Sequence, residues 1–536
     1  METSGRGDWK RREGLGSALA QIGVVAVLLA AGVAWYVHRG QVRQEVDAHL
    51  RTARSAVLKG NPSDLAMAQQ NLEALFALAP DSRDARALAA DLQAELWLTH
   101  HQPGADAKAR EQLERAETLG SRSGERYGAR ALLLVGAGQT AEANKLLEEL
   151  KSQGASSPRL TLAQARLLQK EGRLSEARQA FARAAEGAWK DPRFSAAYGE
   201  ALLDEGMFPQ AVEAFARATT ANPDHLLSRV TSALAQLYAG RPPDGVTALL
   251  EEVRSRGKEL TPALQARMAV AQAEVSLAKG APDEALTHVD AALKAWPEEH
   301  YALFTRGRAL AVKRAPEARQ AFEAAAAKRP TAPLLTLEGA RLLQAQGDGE
   351  GALAMLDAYE KTFREVKTRT ADGKELPALD RDDRYWLARG GVMEAAGRQD
   401  DALAAYDKAL AARGVGLARA QYAKGALLLA RKDFDGAKSL LTAVAPETGA
   451  GSMPEAYAAL GELLFAQGEF AAGCQQHYFS LVRARAQGAP VEQLATRAND
   501  IKKRLETSGQ PAMAKAWLTE AGPLFNGGNE PAAVTR

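Results

Sequence analysis

GRLSEARQAFARAAEGAWKDPRFSAAYGEALLDEGMFPQAVEAFARATTANP, residues 172–223, contains one pattern twice. Ala177 and Ala211 lie 34 residues apart. Gly172 and Gly206 stand five residues before them, Phe181 and Phe215 four after, and Ala184 and Ala218 seven after. The second copy carries a small residue, Gly199, in its first helical stretch and ends at Pro223. A period of this length marks a stack of supersecondary units rather than independent globular domains.

Extending the register outward gives twelve anchors: Ala68, Ala109, Ala143, Ala177, Ala211, Gly245, Ala285, Ala318, Ala352, Ala402, Ala437 and Gly473. Four residues after each comes Leu72, Leu113, Leu147, Phe181, Phe215, Leu249, Val289, Phe322, Leu356, Tyr406, Leu441 or His477. Glycine occupies the position five before in nine of them, as in Gly104, Gly138, Gly240 and Gly397. Each column has a physical reason. The glycine falls between two helical patterns, where a chain reversal needs φ > 0. The small anchor lets two antiparallel helices approach, and the large residue one turn later fills the space beside it. Pro80, Pro223, Pro297 and Pro330, twelve residues past their anchors, stop the second helix. A hairpin of this kind buries its apolar face only by stacking on its neighbours.

Period 34 with this small-large-small spacing resembles the tetratricopeptide repeat (TPR) family. Trp386, Gly390, Gly397, Ala402, Tyr406 and Ala409 stand at the family's characteristic positions. The expected fold is all-α: an α-solenoid of about twelve TPR-like helical hairpins over residues 42–488, preceded by one transmembrane helix. The spacing stretches to 50 between Ala352 and Ala402, which places a polar inserted loop at residues 367–383. Val491–Leu505 and Ala512–Leu518 read as capping helices within residues 489–525, and residues 526–536 as a flexible tail.

Composition agrees with a folded helical chain. Across 536 residues, 46% are hydrophobic, much of that alanine, and only 6% aromatic. With 68 basic and 66 acidic side chains the net charge is +2, so bulk charge supports no nucleic-acid partner. A single cysteine, Cys474, excludes an intramolecular disulfide or a paired-cysteine zinc site.

One segment stands apart. Residues 17–37, SALAQIGVVAVLLAAGVAWYV, carry no formal charge. As a helix they span roughly 31 Å, one bilayer hydrocarbon core. A basic tail, residues 1–16, precedes them, and Trp35 and Tyr36 stand at the interfacial end. The reading is a signal anchor in the lipid bilayer of the bacterial inner membrane, single-pass, with the solenoid periplasmic. Arg39, Arg43, Arg51 and Arg54 follow the segment, so a cytoplasmic-facing arrangement stays open. So does a soluble periplasmic form released after Ala34.

Motifs of catalysis are missing from the sequence: there is no HExxH, GxSxG or GxxxxGK[ST]. Gly347, Gly349 and Gly351 occupy an inter-helix turn rather than opening a βαβ unit. His100 and His101 point about 100° apart on a helix and make a poor chelating pair. Asp380, Asp382 and Asp383 lack the glycine and closing glutamate of a calcium loop. Cys474 beside a small anchor reads as a packing residue. No enzyme activity, cofactor, metal site or small-molecule substrate is expected.

The resemblance implies instead a binding groove lined by the first helix of each hairpin. Carried over residue by residue, the family's groove positions include Arg159, Arg166, Arg193, Arg267, Arg341, Arg384 and Arg419. Arg308 joins them with a one-residue slip, and Phe304 and Tyr422 lie between. The Lys/Asn arrangement that grips C-terminal chaperone peptides in this family is absent. The expected function is a membrane-anchored scaffold that binds other proteins in an envelope complex of secretion, motility or pilus assembly, polysaccharide export or division.

Overall fold

The computed structural model describes residues 9–525, apart from 257–259, 371, 447 and 450. The first eight residues of the expected basic tail and the expected tail at 526–536 lie outside the described residues. The chain divides into two compact units. One runs to Lys170 and from Leu174 to Ala302; the other comprises Glu171–Arg173 and everything from Leu303.

The first unit is built of antiparallel helix pairs. They are α1 (Trp9–Lys59) with α2 (Pro62–Leu78), α3 (Arg83–Leu98) with α4 (Ala105–Thr118), α5 (Gly124–Gly136) with α6 (Thr140–Ser152) and α7 (Pro158–Lys170) with α8 (Leu174–Gly187). Then follow α9 (Pro192–Asp204) with α10 (Phe208–Ala221), α11 (Leu226–Tyr238) with α12 (Asp244–Ser255) and α13 (Pro262–Ala278) with α14 (Pro282–Ala295). The second unit continues with α15 (His300–Val312) and α16 (Glu317–Lys328). Next, a π-helical turn (Leu334–Glu338) leads into α17 (Gly339–Gln346), which precedes α18 (Gly349–Phe363). After it come α19 (Asp383–Ala395) with α20 (Gln399–Ala412), α21 (Leu417–Ala430) with α22 (Phe434–Val444) and α23 (Pro454–Ala466) with α24 (Phe470–Ala486).

The repeat columns map onto this architecture directly. Each anchor lies in the second helix of its hairpin, and every one except Gly245 is buried. All nine column glycines hold φ between 72° and 100°, the left-handed reversal their position calls for. The large residue seats against a small one on the first helix. A Cβ at Gly199 would come within 2.7 Å of the Phe215 ring, and one at Gly307 within 2.6 Å of Phe322. Tyr406 covers Gly390 in the same way.

The sixth hairpin corrects the register. Gly245 is exposed and Leu249 only half-buried, while Val246, Leu250 and Val253 fill the core. This i, i+4, i+7 ladder puts the larger apolar face inward and rotates α12 by one residue.

The insertion is ordered rather than a plain loop. β1 (Lys367–Arg369) and β2 (Glu375–Pro377) form an antiparallel hairpin with Thr368 opposite Leu376. Its return is fastened by side chains. Tyr359 donates to Asp382 Oδ2 at 2.6 Å, and Trp386 Nε1 donates to the Leu379 carbonyl at 2.7 Å. At the C-terminal end, α25 (Val491–Thr507) and α26 (Pro511–Ala521) cover the last hairpin. Buried Trp517 donates to the Ala498 carbonyl at 2.8 Å, which satisfies its indole N–H in the apolar cap.

Helix α1 begins inside the stretch expected as a basic tail and runs through Gly40 without a break. Its apolar part is long enough to cross a membrane, and Leu19, Ile22, Leu28, Trp35 and Tyr36 are all exposed. Its last turns, with Ala53, Ala56 and Val57 buried, pack on Leu65, Leu72 and Leu88 as the first helix of the first hairpin.

Candidate functional site

The first helices of successive hairpins lie side by side within each unit, and the expected groove residues sit on them. The two units use those residues differently.

In the first unit Arg159, Arg193 and Arg267 are buried and engaged within the chain. Arg159, on α7, reaches over α5 to α3, donating Nε to Asp91 at 2.6 Å and Nη1 to Glu95 at 3.0 Å. Gly128 on α5 makes room: a Cβ there would lie 2.5 Å from Arg159 Cβ. Arg193 forms a two-point pair with Asp191, Nε at 2.9 Å and Nη2 at 2.6 Å. Burial alone would raise the Glu95 carboxyl pKa, but Arg159, Arg193 and Arg166 together hold it far below the usual range. For Asp91 burial prevails and its pKa is raised. Arg166 is half-buried and lines the same polar interior as Glu95, His100 and His225.

Arg267 sits with its guanidinium 4.7 Å from the Tyr301 ring centroid. It donates Nη1 to Thr231 Oγ1 at 3.2 Å and faces Glu299 and Glu200, each at 3.5 Å. The Tyr301 hydroxyl donates to Asp204 Oδ1 at 2.6 Å. These groups are ion pairs inside the stack. Removing one partner strands the other in a low-dielectric interior.

The end of α1 closes onto the same unit. Leu226 N donates to Asn61 Oδ1 at 3.0 Å, and Asn222 Nδ2 donates to the Lys59 carbonyl at 2.8 Å. Gly60, at φ 74°, lies against His225: a Cβ there would meet Nε2 at 3.0 Å and Arg193 Cγ at 3.1 Å. Burial, then the neighbouring His100, pushes the His225 pKa down to about 4. Its Nδ1 lies 2.7 Å from Ser228 Oγ.

In the second unit the same positions lie nearer the surface. Arg341 is exposed and pairs with Glu338 three residues before it, at 2.8 and 2.6 Å. Arg419 is exposed, and Arg308 and Arg384 are half-buried. Phe304 is core, stacked at a tilt 5.7 Å from Phe322. Tyr422 is half-buried, and burial followed by Glu455 and Glu394 raises its pKa. Burial likewise pushes the Cys474 thiol up to about 11, so it is a thiol at neutral pH. Among the described residues no cluster of three metal-ligating side chains forms.

Sequence reasoning missed Asp91, Glu95 and Asp191 as partners. Asp91 and Glu95, four apart on α3, share a helix face and were legible as a pair. Their arginine lies 68 residues on, and only the stacked fold brings it near.

Stacked hairpins with a small anchor, a large partner and a left-handed glycine define a helical-repeat solenoid. A family profile described as tetratricopeptide repeat matches residues 168–237, and a second of the same description matches 129–192 and 270–333. The stretches 129–237 and 270–333 are thus tetratricopeptide repeats, a repeat that serves protein–protein interaction. No curated protein matches its sequence. Among solved structures, the human IFIT1 dimer with PPP-AAAA aligns at 19% identity and a TM-score of 0.41, covering 74% of this chain and 91% of that one. The APC/C hetero-tetramer Cut9-Hcn1 aligns at 13% identity and a TM-score of 0.40, covering 89% and 96%.

Proposed function

We propose that the protein is a non-catalytic, membrane-anchored scaffold that holds partner proteins on the first helices of its second unit. The observation that carries this reading is the set of arginines near the surface there, Arg308, Arg341, Arg384 and Arg419, with half-buried Tyr422 three residues after Arg419 on the same helix. Arginine next to aromatic surface is the composition of protein-binding hot spots. The buried Arg159, Arg193 and Arg267 fix the first unit's helices and are not part of that surface. Apolar, exposed α1 serves as the anchor of a bacterial envelope complex, single-pass, with the solenoid on the periplasmic side.

In-cell photocrosslinking from positions 308 and 384, with mass spectrometry of the captured proteins, tests this reading. Capture of periplasmic or outer-membrane proteins, lost in Arg341→Glu, is the expected result. Capture of cytoplasmic proteins alone reverses the topology, and capture unchanged by Arg341→Glu removes this face as the binding surface. The N-terminal mass of the mature chain distinguishes the anchored form from one released after Ala34.

A further inference from the structure

Just past the apolar run of α1 comes a short basic stretch, residues 38–44, HRGQVRQ. It holds Arg39 and Arg43 and no acidic residue, and the first carboxylate beyond it is Glu45. His38, Arg39 and Arg43 are all exposed. Asp47 stands one helical turn after Arg43, yet among the described residues no ion pair joins the two and none holds Arg39. Two guanidinium charges are therefore left uncompensated beside the proposed bilayer segment.

Their height along the helix is decisive. Arg39 lies two residues past Val37, the end of the uncharged run, and Arg43 six past it. On a helix those steps are about 3 Å and 9 Å. The headgroup layer of a bilayer is roughly 5–8 Å deep on each side. Side chains on an α-helix tilt toward its N-terminus, which here is the apolar end, so both arginines lean toward the bilayer. At Arg39 the lean is visible: its guanidinium carbon lies over the Trp35 ring, 5.0 Å from the centroid and one turn nearer the apolar run. Contact through the guanidinium face leaves its N–H edge free for a phosphate. Trp35, Arg39 and Arg43 follow at four-residue steps and so share one side of the helix.

We propose that Trp35, Arg39 and Arg43 form a binding site for the headgroup of an anionic phospholipid. The phosphate accepts from the two guanidiniums, and the Trp35 ring packs on the glycerol and upper acyl chain. A zwitterionic headgroup fits less well, because the same two arginines repel its cationic end. The inference rests on the anchoring of α1 proposed above and is separate from the surface proposed for partner proteins.

Tryptophan quenching in vesicles tests the site and the anchor apart. The full chain with Trp9→Phe, which leaves Trp35 as the tryptophan on the apolar run, is reconstituted into phosphatidylcholine with about one-fifth phosphatidylglycerol. In one set the phosphatidylglycerol carries bromine high on an acyl chain; in the other an equal share of the phosphatidylcholine does. Quenching of Trp35 is expected to report about threefold or more enrichment of phosphatidylglycerol at low salt, falling toward equality at high salt. Arg39→Gln with Arg43→Gln should bring the enrichment close to none. Arg51→Gln, exposed and about 12 Å farther along the helix than Arg43, should leave it unchanged. All of these changes fall on exposed side chains, so the fold is not at stake. Equal quenching by the two lipids, or enrichment that survives the loss of both arginines, overturns the site and leaves the anchor standing. Enrichment lowered as much by Arg51→Gln also overturns the site, since it reports diffuse attraction. Quenching by neither lipid overturns the anchor and the site together.

Discussion

The two units share one hairpin and differ in what their arginines do. In the first, Arg159, Arg193 and Arg267 are drawn inside, each bound to carboxylates from its own unit. Some of those carboxylates lie more than 60 residues away in sequence. In the second, Arg341 pairs with Glu338 within its own helical turn, and Arg419 is exposed. An ordinary solenoid carries contacts between neighbours alone and can unravel from any point. Asn61, bonded to Leu226 across 165 residues, and the ion pairs across α3, α5 and α7 depart from that rule. The first unit should therefore open as one body and the second hairpin by hairpin.

The sharpest way to break this contrast is to cut a buried pair. Arg159→Met leaves Asp91 and Glu95 without their shared cation and should cost about 3–5 kcal/mol. Phe215→Ala and Tyr406→Ala should cost a similar 3–5 kcal/mol, one in each unit, because the hairpin interior is the same in both. Chemical denaturation of the three variants, followed by hydrogen exchange, reads both numbers. The contrast fails if exchange after Arg159→Met quickens only around α7.

Acid is the next lever. His225 is neutral in the fold with a pKa of about 4, against about 6.5 when unfolded. Between those values the unfolded chain binds the extra proton, so stability falls as pH drops through this window and is fully present above it. The loss approaches about 3 kcal/mol near pH 4. His477, with a pKa also near 4 beneath burial and Arg504, should loosen the last hairpin over the same range. Thermal melts at pH 7 and pH 5, repeated with His225→Gln, check the sign: the variant should show the shallower dependence.

Asn61→Ala should cost about 1–3 kcal/mol, since it strands the buried Leu226 N–H. Hydrogen exchange should rise at residues 222–228 and leave α25 and α26 unmoved. The smallest effect belongs to Arg341→Ala, whose exposed pair with Glu338 is worth under about 1 kcal/mol. Its melt should match the parent within about 0.5 kcal/mol while crosslinking to partners declines. A large drop in stability would place Arg341 with the buried arginines of the first unit.

How much of this was legible depended on range. The columns around Ala177 and Ala211 repeat locally, so hairpin, turn glycine and core aromatic followed from spacing. The long apolar run likewise needs only neighbouring residues. The slip at Gly245 was readable too: Val246, Leu250 and Val253 outweigh a column kept for its period. The fate of each arginine was not. Arg159 and Arg341 read alike in the sequence, both as groove arginines, and only what stacks beside them separates a buried ion pair from a surface one. The β-hairpin within residues 367–383 was hidden for another reason: its two strands have three residues each, too few for an alternation to show.

Helix α1 leaves the expected bilayer segment and enters the first hairpin with no joint between. On the proposed anchoring, the length of helix from the membrane surface at Val37 to Arg54 and Leu58 in the first hairpin is set by helical rise. It comes to roughly 26–32 Å. A flexible tether would let the first unit sample a wide shell of heights; a stiff post narrows that shell. Inserting one residue after Arg43 would lift the unit by about 1.5 Å and swing it by about 100° around the post. Insertion length therefore sets the direction in which the protein faces along the membrane.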